Sequence, residues 1–513
     1  MLSKGQVPRA LHMNVSLVFD RALDRRQVAC FFLLATLLYA LPLILADFRY
    51  IDDSWRTLEA GNAWAGEGRW FTDLLYQVLS FSGAAPDIFP LPLLLAILAV
   101  ALALARLTFH YFPEPTLACC LVPLPLWYNP FLLQNLSYQY DGPSMALSLV
   151  AVIYAVTCRG TSRLRRLWEP AAWLVLAFGL YQISLNVFLG LVCLDLCRTV
   201  CNRWPWRQCL DLLGDRFAQL GLALLVYFAM AFWLMGTERT ALLNWNADPL
   251  MQLGINLATV LQKVALLFHG GYAWILAVLV LIALMGAMGV GRRLEGGEEP
   301  GWKTWLLGLL WLLTSLILAL LVPGITLLFR DFNEGARTLM GFGVWLMLLF
   351  YLAYLALTPL HRRLPALLII PLLATLSLSF AYGRVLTLQK TFSSGALYSL
   401  AHDITSRREL YEAKRIYMSV TYSAHWLTSA CGSFNQLPVL HYLLNVDYLL
   451  LPESPPFLGI TNVVIERERR NATRVGYRGY PPLVDNLYYR IYLLGDYGFI
   501  VMKEPSRTRA PLC

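Results

Sequence analysis

Charge is scarce in this chain. Asp, Glu, Lys and Arg make up 14% of its 513 residues, where a soluble domain carries about 25%. An ordinary globular core does not account for so large a deficit. The signatures of nucleotide chemistry are missing as well, with neither a Walker loop nor a dinucleotide fingerprint. No HExxH motif occurs, and the seven histidines are scattered without partners at metal-ligand spacing. Ionisable residues near the centres of the apolar runs are few. That argues against an ion-coupled transporter, whose midplane sites need them.

What the sequence has in excess is hydrocarbon. Hydrophobic residues make up 58% of it, and mean hydropathy is +0.56. Apolar stretches at 28–46, 89–105, 217–235, 304–323 and 338–358 are long enough to cross a bilayer, which takes about 20 residues. The first follows Arg21, Arg25 and Arg26 and reads as an uncleaved first span. The net charge of +9 sits in short loops between spans, where it sets topology rather than binding nucleic acid. Cys193, Cys197 and Cys201 repeat at helical spacing with no His or carboxylate partner at ligand spacing, so they read as buried small residues. Cys431 and Cys513, the two cysteines of the tail, pair if the tail lies in an oxidising compartment.

The positive-inside rule orders the loops. The N-terminus shares the cytoplasmic side with Arg159 to Arg166, Arg198 to Arg216, Arg292 to Lys303, and Arg362 with Arg363. For these to share a side, segment 168–197 must cross twice, with a break near Tyr181–Asn186. The polar run Tyr181, Gln182, Ser184 and Asn186 supports a break, because irregular backbone at membrane depth must face protein or water. The expectation is a polytopic α-helical membrane protein of about eleven transmembrane helices. Segments 47–88, 134–142, 237–270 and 324–337 fall on the outer side, joined by the tail from residue 383 onward. Within the first, 54–81 reads as an interfacial amphipathic helix pair turning at Gly66 and Gly68. In the tail, 395–413 has helical charge spacing, while 415–422, 439–451 and 488–502 look β-rich, giving a small C-terminal α/β domain over 383–513 beside a bundle over 1–382.

Three outer constellations can carry chemistry. Asp52 and Asp53 stand just outside the first span. Either caps the helix beginning at Ser54, or one takes a proton from a substrate hydroxyl. Asp141, after Tyr140 and before Pro143, is a helix cap or part of a sugar site. Arg330 and Arg337 flank Asn333 in a short outer loop. They are interfacial anchors or a phosphate clamp, and an outer loop is the less expected place for arginines under the topology rule.

The aspartate pair after the first span is followed by Gly68-Arg69 with Asp73. Asn129-Pro130-Phe131 then leads to Asn135-Leu136-Ser137-Tyr138 and Asp141, and Tyr181-Gln182 precedes Asn186. Together these resemble the GtrII family of bacterial O-antigen glucosyltransferases over roughly 28–380, most clearly over 47–200. The resemblance implies the GT-C architecture, with a periplasmic active site and a periplasmic C-terminal domain in a bacterial inner-membrane protein. It implies a polyprenyl-phosphate sugar as donor and a lipid-linked polysaccharide as acceptor. It places the catalytic carboxylate at Asp52 or Asp53, with Asp52 favoured, and makes Arg330 and Arg337 the donor-phosphate candidates. Asp141, Tyr140, Arg69, Glu59 and Asn333 become the sugar- and acceptor-binding candidates. No cofactor is required, although the clustered acids leave a divalent metal open. A GT-C transferase acting on a surface protein with another sugar, and a non-enzymatic envelope translocase, stay open as alternatives.

Overall fold

The computed structural model describes residues 21–202, 204–231, 249–295, 301–329, 332–423, 427–465 and 479–504. The protein is largely α-helical, with several long apolar helices and a small C-terminal β-containing region.

Helix α1, Arg25–Ala46, opens with a capping box. Asp24 accepts from the Gln27 backbone N–H at 2.8 Å, and the Gln27 side chain accepts from the Asp24 N–H at 3.1 Å. It stops at Asp47, whose left-handed backbone turns the chain into segment 47–88. There the short α2 (Asp53–Glu59) and α3 (Trp70–Ser80) form the expected pair, with Gly68 left-handed at the turn between them. Leu58, Leu74, Val78 and Phe81 face outward from the pair.

The bundle follows as α4 (Leu91–Tyr111), the short α5 (Leu117–Leu121) and α6 (Leu132–Ser137), then α7 (Asp141–Thr157), α8 (Arg163–Leu180), α9 (Ser184–Cys201) and α10 (Trp206–Ala231). Next come α11 (Pro249–Ala265), α12 (Gly270–Glu295), α13 (Gly301–Leu320), α14 (Gly341–Leu357) and α15 (Ile369–Thr405). Among the described residues, six helices are long and apolar enough to cross a membrane, and four shorter apolar helices accompany them.

The break within 168–197 falls at residues 181–183, between α8 and α9. Asn186 stabilises it by donating to the Pro323 carbonyl at 2.9 Å and accepting from the Ile325 N–H at 3.0 Å. Two irregular stretches thereby satisfy each other. Gly324 is left-handed there, and a Cβ on it would collide with the Asn186 side chain.

Several of the arginines close helix ends. The Arg216 guanidinium donates to the carbonyls of Ala155 and Val156, and Arg106 donates to that of Thr157, so both close the C-terminus of α7. Arg198 donates to the His110 carbonyl near the end of α4. Cations at these ends satisfy orphan carbonyls and oppose the helix dipole. Asp195 is buried among them, 3.1 Å from His110 and 3.7 Å from Arg216. An acidic partner on this face was not foreseen, because Asp195 lies inside an apolar run rather than in a loop.

Two expectations need correction. Segment 134–142 is not an exposed loop, since every residue from Ala118 to Ala146 is buried. The tail covers it: Tyr50 and Tyr382 both donate to the Leu443 carbonyl, at 3.3 and 3.2 Å. Segment 439–451 contains a helix, α18 (Val439–Leu444), instead of a strand. Pro438 precedes it and a left-handed Asn445 ends it, so its apolar run buries by helical packing.

Helix α15 runs unbroken from Ile369 to Thr405, and the 382/383 division falls inside it. Its 37 residues span about 55 Å at 1.5 Å each, well beyond a hydrocarbon core of about 30 Å. The outer part carries the tail, with Ala396, Leu400 and Ile404 packed against the tail sheet. After the short α16 (Arg408–Tyr411), the strands are β1 (Arg415–Ser419), β2 (Val463–Ile465), β3 (Val484–Asp485), β4 (Tyr489–Leu494) and β5 (Tyr497–Met502). The sheet order is β2-β1-β5-β4-β3. β1 is parallel to β2 and β5, whereas β4 is antiparallel to β3 and β5. Gly495-Asp496 makes the two-residue turn of the β4–β5 hairpin. The helix α17 (Cys431–Gln436) lies between β1 and α18. Cys431 is disulfide-bonded, and its expected partner, Cys513, lies outside the described residues.

Candidate active site

The loop between α1 and α2 bends sharply, with Asp47 and Ile51 both at positive φ. For β-branched Ile51 that conformation is strained. The bend separates the fates of the two aspartates that follow.

Asp53 faces inward and is fully buried. Its carboxylate accepts from the backbone N–H groups of Tyr50 and Gln139, each at 2.9 Å, and of Tyr140 at 3.2 Å. It thus pins the first outer segment to residues 139–140. Burial pushes its carboxyl up to about 8, against the pull of those donors. A pKa near neutrality suits a general base, but reach comes first, and Asp53 has no exposed surface.

Asp52 occupies the N-cap position of α2, yet its side chain makes no capping bond. The residue is half-buried, and its carboxylate has no hydrogen-bond partner among the described residues. Burial, then the Asp141 carboxylate, raise its pKa, while Arg337 and Arg56 pull it down, and the net direction is upward. Tyr448 of the tail lies close enough to feel its charge.

Asp141 is the first residue of α7, where a negative charge suits the helix dipole. It is buried and bound from three directions. Arg69 Nη1 lies 2.5 Å from Oδ1, Arg56 Nε lies 3.6 Å from Oδ2, and Trp64 Nε1 donates to Oδ1 at 2.9 Å. Arg69 also donates to Ser144 Oγ and to the Leu180 carbonyl, each at 3.1 Å. Arg56 lies between the rings of Trp55 and Trp64, at 4.6 and 4.0 Å from their centroids. Asp141 is therefore the hub joining α2, α3 and α7. Tyr140 is packed with Trp64 and Tyr76 in a buried aromatic triplet.

Arg337 approaches from the other side. Its N–H donates to Gln134 Oε1 at 2.6 Å, and its Nη1 donates to Tyr138 Oη at 2.8 Å. Its carbonyl accepts from Asn135 Nδ2 at 3.1 Å and Tyr181 Oη at 3.4 Å. Burial works to lower its pKa, but Tyr138, Tyr181, Asp141 and Asp52 hold it above the ordinary value, so the guanidinium stays charged. Asp52 and Arg337 thus confront one another across the site.

Two other candidates lie apart. Glu59 is exposed, and its side chain makes no hydrogen bond among the described residues. Exposed Asn333 accepts from the Gly335 N–H at 2.9 Å and shapes its own loop. Arg330 lies outside the described residues. Arg56, Trp64, Tyr138 and Gln134 were not anticipated. Only Arg56 carried a readable signal, since it follows Asp53 by three residues and shares its helix face. Among the described residues no group of three His, Cys, Asp or Glu side chains is placed to hold a metal. Asp53 is engaged by backbone donors, and Asp141 by arginines and Trp64.

A family model described as glucosyl transferase GtrII matches residues 41–350. A protein of Salmonella phage P22, described as an uncharacterized 55.3 kDa protein in the gtrB 5' region, is 32% identical over 171 residues. That alignment covers 32% of this chain and 34% of the phage protein, so the chain spans about a third of that relative's length. No solved structure matches.

Proposed function

The chain belongs to the GtrII glucosyl transferase family of GT-C-like membrane glycosyltransferases, and from that premise we propose that it is an inverting enzyme of the periplasmic face. It moves a sugar, glucose in the simplest case, from a polyprenyl-phosphate donor to lipid-linked O-antigen or a similar surface polysaccharide. The observation that carries this reading is the contrast between the neighbouring aspartates. Asp53 is consumed by the fold, while the Asp52 carboxylate has no hydrogen-bond partner among the described residues and feels the charge of a fixed guanidinium.

In the proposed step, Asp52 accepts the proton of the acceptor hydroxyl while that oxygen attacks the anomeric carbon. The bond from that carbon to the phosphate oxygen breaks, and its electrons leave with the lipid phosphate. Arg337 is held by Tyr138 and Gln134, so it meets the growing phosphate charge without reorganising. Asp141, Arg69 and Arg56 hold the two walls of the site in place.

The direct test is transfer by the full-length purified protein from defined polyprenyl-phosphate sugars to a lipid-linked polysaccharide, with the product linkage determined. Absence of transfer from every such donor would overturn the reading, as would retention of anomeric configuration. Arg337→Ala is expected to lower kcat/KM for the donor by about 10²–10³ while leaving the acceptor KM unchanged. A change confined to acceptor kinetics sinks the phosphate assignment.

The pH profile follows from Asp52. Protonated, it cannot accept the hydroxyl proton, so activity falls as pH drops through its pKa. Because that pKa is raised, the acid limb of kcat/KM is expected above the ordinary aspartate value of about 3.9. A limb at or below that value counts against Asp52.

A further inference from the structure

Beside the catalytic cluster, a second cleft of about 450 Å³ lies between α11 of the bundle and the 434–447 stretch of the tail. Its volume falls in the range of about 300–1,000 Å³ typical of small-molecule sites. The walls are amphipathic. Leu266, Phe434, Tyr442 and Val446 give apolar and aromatic surface, and Asn445 and Asp447 bring polar side chains. Neither Asn445 nor Asp447 makes a side-chain hydrogen bond among the described residues. Asn445 is held in the left-handed conformation at the end of α18. Tyr442 is fixed from behind: its hydroxyl donates to the Glu334 carbonyl at 2.6 Å, and its ring meets Phe131 at 6.0 Å.

The charge balance narrows the ligand. Lys263 and His441 are the basic side chains of the cleft, and Lys263 is already paired with Glu334 at 3.2 Å and lies over the Tyr442 ring. The Asp447 carboxylate is left uncompensated by any ion pair among the described residues. An anion such as a phosphate would meet that carboxylate. A neutral polyol suits the walls, because its C–H faces cover aromatic rings and its hydroxyls donate to a carboxylate and a carboxamide. The tail stretch that lines the cleft also runs on toward the catalytic cluster. Leu443 accepts the Tyr50 and Tyr382 hydroxyls, and Tyr448 is close enough to Asp52 to feel its charge. Asn445 and Tyr448 are three positions apart, at most about 10 Å of chain, so one saccharide chain can reach both places.

We propose that this cleft is an acceptor subsite, holding a neutral sugar residue of the polysaccharide a short distance along the chain from the hydroxyl that reacts. The inference rests on the transferase reading for the word acceptor, but saccharide binding itself can be measured separately. The experiment uses the full chain in lipid nanodiscs with short neutral oligosaccharides of a bacterial O-polysaccharide as probe. Saturation-transfer NMR reads binding, and transfer kinetics read the acceptor KM. Asn445→Ala and Asp447→Ala are each expected to weaken binding about tenfold and to raise acceptor KM by the same factor, with donor KM and kcat unchanged. Asp447→Asn keeps the shape and a hydrogen-bonding group, and serves if the alanine variants melt early. Wild-type transfer with unaltered acceptor KM in these variants overturns the cleft alone. Saccharide binding that the variants abolish, in a chain that transfers from no polyprenyl-phosphate sugar, overturns the transferase reading and leaves the cleft standing. Preference for an acidic oligosaccharide over the neutral one overturns the ligand class.

Discussion

Asp52→Asn is expected to abolish sugar transfer while the protein inserts and melts as the wild type does. A carboxamide has nearly the shape of a carboxylate but cannot take up the acceptor proton, and a general base contributes about 10²–10⁴-fold. The structure gives no reason for the substitution to disturb folding, since the Asp52 side chain makes no hydrogen bond among the described residues. Asp53→Asn behaves differently. An amide in that pocket presents at least one donor to a cradle of three backbone donors. The expected result is a lower melting temperature with activity lost in proportion. The paired measurement is single-turnover transfer together with thermal melting in detergent. Full activity in Asp52→Asn, beside a dead but normally melting Asp53→Asn, would exchange the two roles.

The sequence reveals what depends on local pattern and hides what depends on covering. The break between α8 and α9 was readable because Tyr181, Gln182, Ser184 and Asn186 interrupt an apolar run. The helix pair α2 and α3 was readable from helical spacing and Gly68. The burial of residues 134–142 was not, because their cover comes from Leu443 and Tyr442, about 300 positions further along the chain. Helix α18 was missed for a related reason. Six residues of Val-Leu-His-Tyr-Leu-Leu fit either period, and only packing against the bundle decides between them.

The site shows the same division. Proximity in sequence marked Asp52 and Asp53 together, but their different roles come from which backbone N–H groups the loop brings near. Arg337 was singled out because the topology rule makes an arginine less expected in a loop assigned to the outer side. Its fixation by Tyr138 and Gln134 required the fold. Asp141 was read as a sugar ligand or a helix cap. The partner that decides its role, Arg56, had the appearance of one more interfacial charge.

That role yields the second large expectation. Asp141→Asn should destabilise the outer half of the protein severely. The carboxylate is the shared counter-ion of Arg69 and Arg56, and all three side chains are less than a tenth exposed. Removing its charge leaves two buried guanidiniums facing each other, and breaking a buried pair in this way costs about 3–5 kcal/mol. Cation–π contacts with Trp55 and Trp64 offset part of that for Arg56. Arg69 keeps hydrogen bonds to Ser144 and the Leu180 carbonyl, and a longer ion pair with the more exposed Glu67 at 3.8 Å offsets part of its charge. Thermal melting of the reconstituted variant reads the loss. Its activity, measured below the melting point, reads whether the remaining wall still places Asp52. Asp141→Asn with an unchanged melting temperature and a raised KM for either substrate would show that the carboxylate contacts sugar instead. The combination Asp141→Asn with Arg69→Gln removes one charge of each sign, and should recover part of the lost stability if the arginines are what the carboxylate holds. If it recovers nothing, Asp141 contributes through its bond from Trp64 and its place at the start of α7, and the counter-ion account fails.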